Sequence, residues 1–253
     1  MWEEPCISGT NGSGAVFFTG CSLRCVYCQN STIALDGMGE PYSADRLSQA
    51  FLSLEEQGAH NINLVTPTHF APGIKEAVAL ARQSGLAIPV VYNTGGYELS
   101  EAVAELKGTV DIYLTDFKYM SASAAGKYSN AKDYPDYAKT ALAEMVKQHP
   151  VPVFDDCGML RSGVLVRHLL LPGNLANSKA VVEYLYKTYG DSIYISLMNQ
   201  YTPMKSFEDY PELSYMVTRR EYDKLVNYAL SLGVKNAYIQ GEGSIGKKYI
   251  PDF

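Results

Sequence analysis

Cys21, Cys25 and Cys28 crowd into eight residues of a 253-residue chain that has five cysteines. Thiolates are soft ligands suited to iron–sulfur clusters or zinc. A spacing of three and then two residues lets one loop wrap a single metal group. Three thiolates satisfy three irons of a [4Fe–4S] cluster and leave the fourth open, as catalysis at a metal requires. A structural zinc site, or a cluster serving only electron transfer, wants a fourth protein ligand, which Cys6, Cys157 or a histidine would have to supply. Cys6 and Cys157 stand alone and are expected not to be ligands. An odd count with one tight cluster argues against a disulfide framework and for a reducing compartment.

The elements that must position this loop are short β-rich runs alternating with helical stretches. The runs are 15–20, 61–66, 88–94, 110–117, 163–171, 192–198 and 236–240. Most are continuously apolar, as expected of strands covered on both faces in a parallel sheet. Helical patterns cover 43–57, 73–84, 98–107, 134–149, 177–189 and 218–232, with Ser43 an expected N-cap and Thr218 with Glu221 a capping box. Alternation of this kind predicts α/β architecture built from βα units: an open, six-stranded barrel with an extra strand, or an incomplete eight-fold barrel. One domain is expected over 1–253, with an N-terminal arm at 1–14 and a C-terminal extension at 199–253 packed on the barrel. Residues 119–137, small, polar and tyrosine-rich, read as a mobile lid, a partner-docking loop or a surface connection.

The C-terminal ends of barrel strands carry chemistry, and polar residues gather there. Cys21 follows the first run; Thr66, Thr68 and His69 the second; Asn93 and Thr94 the third; Asp116 and Lys118 the fourth; Asn199, Gln200 and Tyr201 the sixth. Each is also compatible with ordinary turn chemistry, but five such groups share one rim. Arg167 and Lys118 are charges inside apolar runs, which is expensive without a partner. Each suits either a bound carboxylate or a buried structural ion pair. Strand alternation turns His168 away from Arg167.

A net charge of −6 without a block of like charge gives no reason to expect nucleic acid or an anionic membrane as partner. The acidic N-terminus lacks an apolar signal-peptide core, and no apolar run is long enough to span a bilayer, so the cytoplasm is expected.

The cysteine motif, with aromatic Tyr27 before the third cysteine and a β-run before the first, resembles the signature of the radical S-adenosylmethionine (SAM) superfamily. Further blocks resemble an uncharacterised branch of homologues of the pyruvate formate-lyase activating enzyme: EPCISG at 4–9, GSGAVFFTGC at 12–21, CVYCQN at 25–30, NLVTPTH at 63–69, YNTGGY at 92–97, DIYLTDFK at 111–118, VRHLLLPG at 166–173 and SLMNQYTP at 196–203. The resemblance implies a partial (β/α)6 TIM-like barrel, a [4Fe–4S] cluster on the three cysteines, and SAM bound at the open iron. It implies reductive cleavage of SAM to a 5′-deoxyadenosyl radical that abstracts hydrogen from a substrate, with flavodoxin or ferredoxin as electron donor. A protein or peptide substrate of the glycyl radical kind is expected. A small-molecule substrate and a non-catalytic, metal-stabilised binding module are the alternatives.

By the same resemblance, Asp116 and Lys118 lie near the SAM carboxylate, Arg167 near its methionine, and Gln200 near its adenosine. Asn93 and Thr94 stand where activating enzymes have Asp-Thr. Those enzymes bind the SAM amine with Gly-Gly-Glu-Pro after the second strand, and this chain has Thr66-Pro67-Thr68-His69 instead. Thr66 and Thr68 can accept from an ammonium. His69 can do so when neutral, can approach the substrate, or can be a satisfied surface side chain. Tyr27 and Phe18 are expected to pack around the cluster.

Overall fold

Each continuously apolar run becomes a strand of one parallel sheet in the computed structural model, which describes residues 3–204 and 207–240. The strands are β1 (Gly14–Phe17), β2 (Ile62–Val65), β3 (Val90–Thr94), β4 (Ile112–Asp116), β6 (Leu160–Leu169), β7 (Tyr194–Met198) and β8 (Ala237–Ile239). They pair in the order β1-β2-β3-β4-β6-β7-β8, every pair parallel. The seven runs thus form one open parallel sheet, as the expected barrel with an extra strand requires, and among the described residues β1 and β8 are its two ends. A two-residue strand, β5 (Val153–Phe154), pairs antiparallel with the start of β6. Residues 199–240 of the expected C-terminal extension supply β8 and the helix before it, whereas 241–253 lie outside the described residues.

The helices follow the amphipathic stretches: α3 (Ala44–Glu56), α4 (Ala71–Gln83), α5 (Ser100–Ala104), α7 (Tyr134–Gln148), α8 (Leu175–Tyr189) and α9 (Arg219–Leu232). Ser43 caps α3 by accepting from the Arg46 amide, and Thr218 and Glu221 form the capping box of α9. α2 (Ser31–Asp36) follows the cysteine loop. The 119–137 segment is largely helical rather than a loop. It holds α6 (Ala122–Ser129), capped by Ser121, and leads into α7, with Tyr119, Tyr128, Ser129 and Tyr134 buried.

An open parallel sheet leaves an inner face to be filled. Side chains alternate across a strand, so a row of register partners runs Phe17, Val65, Asn93, Leu114, Leu165, Tyr194 around the interior. The next row holds Asp116, Arg167, Ser196 and Tyr238. The lower interior is closed by the N-terminal arm. α1 (Pro5–Ser8) starts on a proline, whose missing N–H costs nothing at a first helical turn. It buries Cys6 and Ile7 against Val91, Ile112, Leu114, Leu160 and Leu165. Asn61 Nδ2 donates to Ile7 O at 2.7 Å, and Asn63 Nδ2 to a Glu3 carboxylate oxygen at 3.1 Å. The arm leaves at Gly9, where φ is +48° and a Cβ would stand 2.6 Å from the His60 ring. Among the described residues no helix is long and apolar enough to cross a membrane.

Ile7 is fully buried in this floor. Ile7→Ala is expected to lower unfolding free energy by about 2–5 kcal/mol in urea titrations, while Leu99→Ala, at an exposed site, changes it by less than about 0.5 kcal/mol.

Candidate active site

The cysteine loop leaves β1 and docks on the end of α6. Arg24 N–H donates to Ser129 O (3.2 Å) and Val26 N–H to Tyr128 O (2.9 Å), while Cys28 N–H closes a turn on Cys25 O (3.1 Å). Beside these, Cys25 Sγ lies 3.0 Å from Ser129 Oγ, Ser129 Oγ lies 2.8 Å from the Tyr119 hydroxyl, and that hydroxyl lies 2.7 Å from the Tyr27 hydroxyl. Burial pushes the Cys25 thiol up from its ordinary range and the Cys28 thiol up to about 11. A metal group that binds the thiolates therefore has to displace these protons itself.

All three cysteines open onto a cavity of about 770 Å³ inside the barrel, within the range that encloses small ligands and cofactors. Tyr27, Thr66, Asn93, Thr94 and Gln200 also line it, as do Asp116, Lys118 and Arg167. The structure thus brings eleven of the sequence candidates to one chamber. Thr68 and His69 are not among its lining residues. His69 sits exposed on a short 3-10 turn, Thr68–Phe70, with its ring close to Gly20.

Thr68 turns to a partner that the sequence reading missed. Glu98, buried at 3% exposure, accepts from Thr68 Oγ1 at 2.6 Å and from Thr94 Oγ1. Burial raises its carboxyl above the ordinary range, opposed by the two hydroxyl donors. Having donated its proton to Glu98, Thr94 Oγ1 presents lone pairs, one of which takes the Gly96 N–H at 3.3 Å. Gly96 is held so close to β4 that a Cβ would stand 2.2 Å from Asp116 O. Thr66, at the end of β2, has φ +58°. For a β-branched residue this is strained backbone, of the kind that concentrates at functional sites.

Two charge pairs divide the chamber. Lys118 Nζ pairs with Asp116. Burial works against the ammonium, but the Asp116 carboxylate more than offsets it and holds the lysine charged. Arg167 is occupied from below: its Nε donates to Glu4 at 2.9 Å and its Nη2 to Glu4 at 2.6 Å and to Glu3. The buried-ion-pair reading of Arg167 is therefore the one its contacts realise here. His168, on the opposite face of β6, is fully buried, and burial pushes its imidazole down to about 4. The neutral ring donates from Nδ1 to Phe117 O at 2.7 Å. Gln200 accepts from Gln240 Nε2 at 3.0 Å, and Tyr201 packs edge-on to Tyr27 at 6.3 Å between centroids.

Three soft thiols from one loop, all opening onto the chamber, suit the three protein-held irons of a [4Fe–4S] cluster. Among the described residues no three His, Cys, Asp or Glu side chains converge on one metal-ion position. Cys6 is packed in the barrel floor and Cys157 is exposed on a turn, so neither lines the chamber as a fourth ligand.

The profile of the radical SAM superfamily matches residues 15–173, which include the cysteine loop and strands β1 to β6. The chain belongs to this superfamily. A [4Fe–4S] cluster and SAM are accordingly its cofactors. An uncharacterised protein of Methanocaldococcus jannaschii is 27% identical over 227 residues, 86% of this chain and 62% of that protein. Among solved structures, SuiB of Streptococcus suis bound to SAM is similar with a TM-score of 0.58 at 10% identity, over 91% of this chain and 51% of that one. SuiB bound to its precursor peptide SuiA gives 0.58 at 9% identity, over 91% and 49%. The FeFe-hydrogenase maturase HydG of Carboxydothermus hydrogenoformans gives 0.60 at 14% identity, over 89% and 52%. The chain thus spans under two thirds of the archaeal relative and about half of each of these structures; the structural likenesses show the fold.

Arg167→Met removes the cation from buried Glu4 and partly buried Glu3 and is expected to cost about 3–5 kcal/mol of stability at pH 8. Burial puts the Glu4 carboxyl at about 7, above its unfolded value of 4.5, so folded Glu4 takes up a proton first as pH falls. The wild-type protein should therefore gain stability as pH falls from 7 to 4.5, as urea unfolding across that window will measure.

Proposed function

We propose that this chain is a radical SAM enzyme whose cluster is held by Cys21, Cys25 and Cys28 and whose substrate is a segment of polypeptide, of the glycyl radical kind. When bound, the cluster supplies one electron to the sulfonium of SAM, giving methionine and a 5′-deoxyadenosyl radical that abstracts a substrate hydrogen. The observation that carries this reading is the opening of all three thiols onto one chamber whose walls offer complementary groups.

The chain's own residues have assignable tasks. Lys118, kept charged by Asp116, attracts the methionine carboxylate of SAM. Thr94, its hydroxyl proton committed to Glu98, and Thr66, on its strained turn, offer oxygens to the ammonium. Thr68 supports this indirectly, by sharing Glu98. Asn93 lies beside Thr94 and can donate or accept. Gln200 and Tyr201 stand on the side suited to adenosine. Tyr27 and Leu23, both buried, keep water from the cysteine loop. Arg167, paired with Glu3 and Glu4, fixes the floor beneath the methionine end.

The shape of the chamber favours polypeptide over a small molecule. It continues from the cysteines along β1 through Phe17 and Ala15 to Ser13, Gly12, Asn11 and Thr10. These residues line the β1 side of the chamber, where a polypeptide segment would enter. SuiB, of similar fold, is bound to a precursor peptide. Flavodoxin or ferredoxin fits the need for a low-potential one-electron donor.

Anaerobic reconstitution is expected to give about four iron and four sulfide per chain, and 5′-deoxyadenosine on addition of SAM and dithionite. Cys25→Ala should abolish that product while leaving the circular dichroism spectrum unchanged. A colourless protein that binds zinc and makes no 5′-deoxyadenosine would overturn the reading.

A further inference from the structure

Three buried hydroxyls stand in line behind Cys25. From the sulfur outward they are Ser129 Oγ at 3.0 Å, the Tyr119 hydroxyl at 2.8 Å from it, and the Tyr27 hydroxyl at 2.7 Å from that. Ser129 and Tyr119 are each 1% exposed and Tyr27 9%, so bulk water does not compete for these bonds.

The direction of the chain follows from chemistry. A thiolate bound to iron has no proton to give and can only accept. Ser129 must then donate to Cys25, which leaves its oxygen to accept from Tyr119, whose oxygen in turn accepts from Tyr27. Every O–H points toward the sulfur, and bonds aligned in this way polarise one another. The backbone fixes the alignment. The two amides flanking Cys25, those of Arg24 and Val26, donate to the carbonyls of Ser129 and Tyr128, so sulfur and hydroxyl cannot drift apart independently. Among the described residues no side-chain hydroxyl is placed in this way at Cys21 or Cys28.

Hydrogen bonds to sulfur help set the potential of an iron–sulfur cluster. The reduced cluster carries one more negative charge than the oxidised one, and a donor aimed at a ligand sulfur stabilises the reduced form. We propose that Ser129, backed by Tyr119 and Tyr27, is a tuning residue whose donated hydrogen bond to Cys25 raises the reduction potential and so sets which electron donor can reduce the cluster. This rests on the assignment of Cys25 as a cluster ligand.

The test is an electron paramagnetic resonance redox titration of the reconstituted protein without SAM, with dithionite as reductant, so that turnover plays no part. Ser129→Ala should lower the reduced-to-oxidised ratio at fixed potential about tenfold, a midpoint about 59 mV more negative for one electron. Tyr119→Phe, which keeps the Ser129 donor but removes its support, should shift the midpoint in the same direction by less, and Tyr27→Phe by less again. Ser129→Thr, which keeps the hydroxyl, should restore the wild-type value. An unchanged midpoint in Ser129→Ala with full iron content overturns the proposal. If Ser129→Ala fails to take up iron, an unchanged midpoint in Tyr119→Phe overturns it. Failure of the wild-type protein to assemble a cluster would instead overturn the functional reading above.

Discussion

The guanidinium of Arg167 is where the two halves of the barrel interior meet. Below it, Cys6 and Ile7 of α1 complete an apolar floor with Val91, Ile112, Leu114 and Leu165. Above it lies the chamber with the three cysteines. A charge on an inner strand face is costly unless paired, and the arm supplies Glu3 and Glu4 at that level. The same contact therefore seats the plug, shields the arginine and defines the bottom of the site. Asp116, the register partner of Arg167 on β4, takes Lys118 instead, so the two cations are neutralised separately and at different heights.

Once the floor is in place, the rim follows from strand ends. Parallel strands deliver their last residues to one side, and turns there carry polar groups because their backbone must find partners. In this chain the turns are shared. Tyr134 from α7 donates toward Gly95 O and Asp116 O and accepts from the Lys118 amide. Glu98 ties the β2 turn to the β3 turn through Thr68 and Thr94. The rim is thus cross-linked by buried side chains, and the loops around the chamber are stiffer than their glycine content suggests.

Much of this was legible in the sequence, for physical reasons. Strands buried on both faces must be continuously apolar, so β1 to β4 and β6 to β8 stood out, and alternation on β6 separated Arg167 from His168. The short element β5 had too few residues to carry a pattern. α1 was hidden because four residues beginning at Pro5 have no helical period, and its burial depends on an interior that only the assembled sheet creates. Residues 119–137 misled because alanines, serines and tyrosines are weak markers of a face, and their burial comes from distant contacts: the cysteine loop for Tyr119 and Ser129, Tyr210 for Tyr128 and Phe117 for Tyr134. Glu98 carried no signal beyond lying four residues after Thr94, since a single acid after Gly-Gly-Tyr reads as an ordinary helix entry. Thr68 and His69 were candidates by position and donor chemistry, but on the 3-10 turn Thr68 bonds Glu98 and His69 lies exposed beside Gly20, and neither lines the chamber.

The docking of the cysteine loop on α6 also bears on the order in which the protein can be assembled. Cys25 and Ser129 are 104 residues apart in the chain, and between them run β2, β3, β4 and the helices that connect them. A nascent chain that has made the cysteine motif has nothing yet to hold it, because the amide partners of Arg24 and Val26 are still unsynthesised or unfolded. Closing a loop of that length carries its entropy cost before any local contact rewards it. The three cysteines are thus held in their loop geometry only once half the sheet has formed and α6 is in place.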